Sequence, residues 1–180
     1  MTGPRRNIEL KVDDRDPERS LAVCRALGAE DQGVLRQRDT YFWVHRGRLK
    51  LREEGGGAHL VHYERTDEAV PRASDFRLVP VPDPGEMRLT LEAALGIEVV
   101  VAKERRLLLW REVRIHLDRV EGLAGAFLEL EAPADSGSDD DEPARLVDEL
   151  LTALDVDADR IVGPGYADLL REGGRTIAGA

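Results

Sequence analysis

The segment RNIELKV, at residues 6–12, alternates polar and apolar side chains with the period of a β-strand. One face carries Asn7, Glu9 and Lys11, and the other face is aliphatic. Antiparallel sheets commonly turn one polar face to water, but an amide, a carboxylate and an ammonium group in succession also suit a ligand that needs both charges. The remaining strands indicate which environment this face meets.

Seven further segments have the composition or alternation of strands. The clearest is RLKLREE, at residues 48–54, where leucines occupy one face and basic residues the other. With residues 6–12, the predicted strands cover residues 34–44, 48–54, 59–65, 74–81, 97–110, 113–120 and 127–131. Their short connections favour antiparallel pairing in one curved sheet.

Three or four helices are predicted beside these strands, so the fold class is α+β. Asp16 and Pro17 form an N-cap followed by proline at the first helical position, and Gly28 suits the end of that helix. The predicted helices cover residues 17–27, 84–95, 144–154 and 166–172. The acidic stretch DSGSDDDE, at residues 135–142, is predicted to be a flexible loop, and the tail after residue 173 is predicted to be loose.

The composition of the 180-residue chain excludes several classes of function. The formal net charge of −10 disfavours binding to nucleic acids and to anionic membranes. The single cysteine, Cys24, rules out an internal disulfide framework and is expected to be buried in a helix. The sequence contains no apolar run long enough for a signal peptide or a membrane span, so a cytoplasmic location is expected.

The polar strand faces are either solvated surface or the lining of a cavity. Helices must bury their apolar stripes, and the apolar strand faces are their natural partners, which turns the charged faces inward. The charges are also sorted by strand, with bases at residues 48–52 and 103–105 and acids at residues 129–131. A cavity with a basic wall and an acidic wall suits a polyphosphate bridged to a divalent metal ion.

These segments, taken in order, resemble the CYTH group of triphosphate tunnel metalloenzymes, and most closely its class IV adenylate cyclase-like branch. The resemblance rests on ExK at Glu9 and Lys11, followed by DTYF, RLKLRE, KERR, RIHLD and FLELE. It covers roughly residues 6–132, and GYADLL near the end also fits. It implies an eight-stranded antiparallel β tunnel (a barrel) with helices packed outside, in one CYTH-like domain over residues 1–180.

The resemblance also implies a division of that domain and a set of site residues. The core is expected at residues 6–132, an acidic loop at 133–143 and C-terminal helices at 144–172. Lys11 and Asp118 are the expected catalytic residues, and Mg²⁺ or Mn²⁺ the expected cofactor. The expected substrate-binding residues are Lys11, Lys50, Arg52, Lys103, Arg105 and Arg114, and the expected metal ligands are Glu9, Glu129 and Glu131. His116 shares a strand face with Asp118 and is a weaker candidate for a chemical role.

Three positions depart from the family pattern. Asn7 stands where the signature begins with glutamate, so an oxygen ligand is kept and a charge is lost. Where the family often has a lysine, this chain offers Glu64 and then Arg65, and a one-residue bulge is one way to turn Arg65 inward. No C-terminal lysine matches the one that some members use.

Two reactions and one non-catalytic role remain open on these residues. A class IV adenylate cyclase-like enzyme converts ATP to cyclic AMP and pyrophosphate, which is the leading prediction. A phosphohydrolase acting on tripolyphosphate or thiamine triphosphate is the alternative, and a binder of nucleotides or polyphosphate is the third. The expected partner is therefore a triphosphate small molecule, without nucleic acid or membrane, in a monomer or homodimer.

Overall fold

The computed structural model describes residues 5–134 and 141–177, and its central feature is a closed antiparallel barrel of eight strands. The barrel confirms the predicted α+β class and the predicted tunnel. Its strands are β1 (Arg5–Asp13), β2 (Glu30–Phe42), β3 (Arg48–Glu54), β4 (Gly57–Glu64), β5 (Arg72–Pro80), β6 (Ile97–Trp110), β7 (Val113–Val120) and β8 (Phe127–Ala134). Around the barrel they follow the order β1-β5-β4-β3-β2-β6-β7-β8.

The first strand closes the barrel by pairing with both β5 and β8. In these registers Asn7 lies opposite Ser74, and Glu9 lies opposite Glu131. Because side chains alternate along a strand, the polar face of β1 points to the same side as the charged faces of its neighbours. That side is the interior of the barrel.

In the part of the chain that the structure describes, four α-helices lie around the barrel: α1 (Pro17–Ala26), α2 (Pro84–Leu95), α3 (Asp141–Ala153) and α4 (Tyr166–Ile177). The first two begin as the sequence predicts, since the side chains of Asp16 and Asp83 accept hydrogen bonds from backbone N–H groups three residues later. Gly96 ends α2 with a φ of 75°, a conformation that favours glycine. Across the described ranges, the helices all lack the length and apolar character that crossing a membrane requires.

The main hydrophobic core lies between the outside of the barrel and the helices. Leu10, Ile115 and Leu130, on β1, β7 and β8, pack in one cluster with Val147 and Leu150 of α3. Each of these side chains is almost completely buried, and burying one such side chain stabilises the fold by about 1.5–3 kcal/mol. The apolar strand faces are thus used by the helices, and this leaves the charged faces for the barrel interior.

Several element boundaries differ from the predicted ones. β2 begins at Glu30 rather than Val34, because its polar first residues pair with the end of β6 despite their low strand propensity. α3 begins at Asp141, where acidic residues and Pro143 suit a first helical turn. α4 continues to Ile177, so the predicted loose tail is helical at its start. Most of the predicted acidic loop, residues 135–140, lies outside the described residues.

Candidate active site

The interior of the barrel is a cavity of about 340 Å³ with a densely charged lining. Every site residue expected from the sequence contributes to this lining except Asp118. Eight lysine and arginine side chains line it against four glutamates: Arg5, Lys11, Lys50, Arg52, Arg65, Lys103, Arg105 and Arg114, with Glu9, Glu54, Glu129 and Glu131. The lining therefore carries a formal excess of positive charge, which suits a polyanion.

Asp39 on β2 organises the basic wall. Lys50 Nζ donates a hydrogen bond to Asp39 Oδ2 (2.9 Å), and Arg52 Nε donates one to Oδ1 (2.8 Å). Lys103 Nζ lies 3.7 Å from Oδ2. Burial alone would raise the pKa of the Asp39 carboxyl group, but the three cations hold that pKa well below its usual range. The carboxylate therefore stays ionised and fixes three predicted phosphate-binding side chains.

Two lysines in the tunnel have unusually low pKa values. Burial lowers the pKa of Lys103 to about 7, with a further contribution from nearby Arg105. Burial also lowers the pKa of Lys11 to about 8, although Glu129 opposes that shift. Lys11 Nζ donates a hydrogen bond to the carbonyl oxygen of Pro164 (3.0 Å). An anion that replaces the lost hydration would therefore stabilise the charged form of both lysines.

Asp118 lies behind the cavity lining rather than in it. Arg105 Nε donates a hydrogen bond to Asp118 Oδ1 (2.8 Å), and the hydroxyl group of Tyr166 donates one to Oδ2 (2.8 Å). Its carboxylate is only 1% exposed. The geometry makes Asp118 an anchor for Arg105, which also contacts Glu129. A catalytic role through direct contact with substrate needs a rearrangement of this pair.

The acidic wall is built from two cross-strand rows on β7, β8 and β1. In the first row His116, Glu129 and Lys11 lie opposite one another, and in the second Arg114, Glu131 and Glu9 do so. This arrangement places the two expected metal ligands of β8 side by side on the inner face. It also brings a histidine beside them that the sequence marked only as a weaker candidate.

His116, Glu129 and Glu131 form a group of possible metal ligands in the described part of the chain. One ligand atom from each lies within 4.8 Å of the others. Nδ1 of His116 is buried and has no hydrogen-bond partner in the structure. Burial and the nearby Arg105 lower the pKa of His116 to about 4, so the ring is neutral near pH 7 and offers a lone pair. These residues fit a divalent cation.

Glu9 stands beside this group but faces two arginines. Its Oε1 atom lies 3.2 Å from Arg65 Nε and 3.7 Å from Arg72 Nε. Burial raises the pKa of Glu9, while Arg65 opposes that shift and Glu131 adds to it. The structure thus brings Glu9 to the edge of the candidate metal site, with its carboxylate turned to Arg65.

The two departures on β1 and β4 have clear structural consequences. Arg65 faces the cavity by simple alternation after Tyr63, so no bulge is needed, and Glu64 instead pairs with Arg46 outside. With its amide oriented to satisfy both hydrogen bonds, Asn7 accepts one from Arg114 Nη2 at 3.0 Å. Arg114 also lies 2.9 Å from Glu131. Asn7, which stands where the family signature has glutamate, therefore helps to hold the guanidinium group of Arg114.

The surface of the protein also has cavities beyond the tunnel. A groove of about 690 Å³ is larger, but its lining takes bases and acids from exposed positions such as Arg36, Glu104 and Arg119. A second cavity of about 450 Å³ shares Tyr41 and Arg65 with the tunnel. We place the candidate site in the tunnel because the buried bases and the possible metal ligands meet there.

Comparison with known proteins gives concordant results. The sequence model of the CYTH domain matches residues 5–159. A protein of Methanocaldococcus jannaschii named "Putative adenylate cyclase MJ0240" is 26% identical over 171 residues, which are 90% of this chain and 97% of that protein. The solved structure of the PH1012 protein from Pyrococcus horikoshii has a TM-score of 0.79 at 24% identity, covering 91% of this chain and 99% of its own.

A second solved structure shares the fold at lower identity. It is described as a "putative adenylate cyclase" from Vibrio parahaemolyticus, with a TM-score of 0.70 and 19% identity. The alignment covers 94% of this chain and 99% of that chain. At these identities the two solved structures establish a shared fold, and the family match spans all eight strands and helices α1 to α3.

Proposed function

The chain belongs to the CYTH domain family, and on that premise we propose that it is a divalent-metal-dependent enzyme that acts on a triphosphate held in its tunnel. The observation that carries this proposal is the meeting of a fixed basic wall and a group of metal-ligand side chains in one buried cavity. The contacts with Asp39 and between the two walls compensate only part of this charge, and uncompensated buried charges cost several kcal/mol each. A triphosphate with a bound cation balances both.

The side chains divide into two tasks in this proposal. Lys50, Arg52, Lys103, Arg105 and Arg114 bind phosphate oxygens, and the arginines can do so with two parallel hydrogen bonds. Lys11 adds a further charge at the junction with the acidic wall, opposite Glu129.

The acidic wall receives the cation in this proposal. Glu129 and Glu131 hold the metal ion, with Glu9 at its edge. When bound, the cation neutralises phosphate charge and polarises a phosphorus–oxygen bond.

We favour the adenylate cyclase-like reaction. In it the ribose 3′-oxygen of ATP attacks the α-phosphorus, the bond from that phosphorus to the bridging oxygen breaks, pyrophosphate leaves, and the hydroxyl proton passes to a base. The tunnel lining supports a substrate with an organic group, because Leu35, Phe76 and Leu107 add apolar surface beside the charged residues. The name of the archaeal relative points the same way.

Hydrolysis of a compact triphosphate is the second candidate. The tunnel volume of about 340 Å³ is at the lower end for small-molecule sites. Such a volume suits tripolyphosphate, or thiamine triphosphate entering by its phosphate end. In this reaction water attacks the terminal phosphorus, the bond from that phosphorus to the bridging oxygen breaks, orthophosphate forms, and the diphosphate is the leaving group.

Product analysis separates the candidates. Purified protein is incubated with ATP, tripolyphosphate or thiamine triphosphate, each with Mg²⁺ and then with Mn²⁺, and the products are resolved by ion-exchange chromatography. Cyclic AMP with pyrophosphate supports the cyclase, and orthophosphate without cyclic AMP supports the hydrolase. At a limiting metal concentration Glu129→Gln should strongly reduce either product, whereas Glu104→Gln, at an exposed position on β6, should not. No product from any substrate would overturn the enzyme proposal and leave a binding role.

A further inference from the structure

We propose that His116 supplies a third protein ligand to the tunnel cation and thereby makes the site prefer Mn²⁺ to Mg²⁺. This inference rests on the proposed function, since it concerns the cation of the same site. It goes further by naming a nitrogen ligand and a metal preference, neither of which follows from the carboxylates alone.

The position of the imidazole carries the inference. His116 lines the cavity on β7, opposite Glu129 in the β7–β8 register. Its Nδ1 atom lies 3.7 Å from Glu131 Oε1, which is too long for a hydrogen bond. Two ligands on one metal ion stand roughly 3 to 4 Å apart when each bond is about 2.1 Å long. The separation therefore fits a shared ion better than a direct contact.

A purely structural role leaves the ring nitrogen unexplained. Buried polar atoms are nearly always hydrogen-bonded, and leaving one without a partner costs roughly 1–3 kcal/mol. Nδ1 of His116 is buried without such a partner among the described residues. Two other atoms of the described lining, Gln37 Oε1 and Arg114 Nε, also lack a partner, but neither belongs to the group of possible metal ligands. A cation at this point gives the orphaned nitrogen a partner.

On each carboxylate Oε2 contacts an arginine, while Oε1 of Glu129 lies 3.5 Å from Lys11 Nζ. Arg105 contacts Oε2 of Glu129, and Arg114 contacts Oε2 of Glu131 at 2.9 Å. These bases fix the orientation of the two carboxylates, as outer partners do in known metal sites. The remaining oxygen of Glu131 is the one that faces His116.

The donor set then determines the preferred ion. Mg²⁺ favours oxygen ligands and near-ideal octahedral geometry, and it keeps several of its waters. Imidazole nitrogen binds first-row transition ions better than it binds Mg²⁺. A site with one imidazole and two carboxylates therefore favours Mn²⁺, and removing the imidazole should bring the two ions closer in affinity.

Electron paramagnetic resonance of bound Mn²⁺ tests the inference without any activity measurement. Pulsed spectra of the full-length protein with Mn²⁺ should show coupling to a directly bound nitrogen, and labelling the histidines with ¹⁵N should change that coupling. His116→Asn should abolish it. His59→Asn is the matched control, because His59 lines the same tunnel outside the ligand group, and this variant should keep the coupling.

Competition between the ions gives the second readout. Mg²⁺ should displace Mn²⁺ from wild-type protein only at large excess, and His116→Asn should reduce the affinity ratio by about tenfold or more. Bound Mn²⁺ without histidine nitrogen coupling in the wild type would overturn the inference and leave the proposed function intact. Absence of any Mn²⁺ or Mg²⁺ binding, with or without tripolyphosphate, would overturn both. The wild-type ¹⁵N comparison decides the matter even if His116→Asn fails to fold.

Discussion

We predict that the buried Lys103 makes the affinity for a triphosphate depend strongly on pH. In the unliganded protein its pKa is about 7, and that of Lys11 is about 8. Both values lie below the usual lysine value, so each group loses its proton as pH rises through its own pKa. A bound triphosphate stabilises the charged forms, so binding above these pH values requires proton uptake and becomes weaker.

The size of the effect follows from the two pKa values. Between pH 6.5 and pH 8.5 the charged fraction of Lys103 falls about 25-fold and that of Lys11 about fourfold, if binding restores both to ordinary lysine behaviour. Affinity should therefore fall about 100-fold over this range. The Lys103→Arg variant carries a permanent charge at the first site. Its affinity should fall only about fourfold over this range, which is the contribution of Lys11.

Isothermal titration calorimetry with a non-hydrolysable triphosphate analogue measures this dependence directly. Titration of the analogue itself affects both proteins equally, so the ratio of their affinities isolates Lys103. Arg77→Lys, at an exposed position on β5, is the control for exchanging lysine and arginine outside the tunnel. Circular dichroism checks that the larger arginine is accommodated. Equal pH slopes for the wild type and Lys103→Arg would show that Lys103 does not contact the ligand as reasoned.

Three further predictions address other parts of the tunnel. Glu129→Gln and Glu131→Gln should each raise the Mn²⁺ concentration needed for half-maximal activity without loss of the fold; an unchanged metal titration would remove these residues from the cation site. Asp39→Asn leaves three cations without their buried anionic partner, so chemical denaturation should show a loss of roughly 3–5 kcal/mol in the free energy of unfolding. Tripolyphosphate should restore part of this loss, and a variant as stable as the wild type would contradict the prediction. Asn7→Glu should strengthen the hold on Arg114 and tighten Mn²⁺ binding measured by calorimetry, whereas weaker binding would mean that Asn7 already serves the site better.

The sequence predicted the barrel because its strands obey a simple rule. Apolar faces on β1, β7 and β8 meet the helices, and charged faces meet each other, so alternation alone distinguishes inside from outside. The same rule predicted most of the charged lining. It also explains Arg65, whose inward position follows from counting every second residue from His59.

Other parts of the site depend on tertiary pairing that a linear pattern does not reveal. The role of Asp39 was not predicted, because the segment DTYF has the composition of an ordinary strand. Its alternation with the inward-facing Tyr41 is the signal that could have indicated it. Tyr166 belongs to α4, far along the chain, and its contact with Asp118 requires the docked helix. The first residues of β2 lack strand propensity and are held by β6, which local sequence cannot predict.

The closure of the barrel by β1 has a consequence for the order of events during protein synthesis. β1 is made first, but its partner β8 is made about 120 residues later, a separation that slows folding because a long loop must close. The segment after α3 then adds the carbonyl oxygen of Pro164 to Lys11 and that of Gly163 to Arg65. A ribosome-bound chain that stops before these residues has every tunnel strand but an unfinished site. β1 and the segment at residues 163–164 must therefore meet before the tunnel lining is complete.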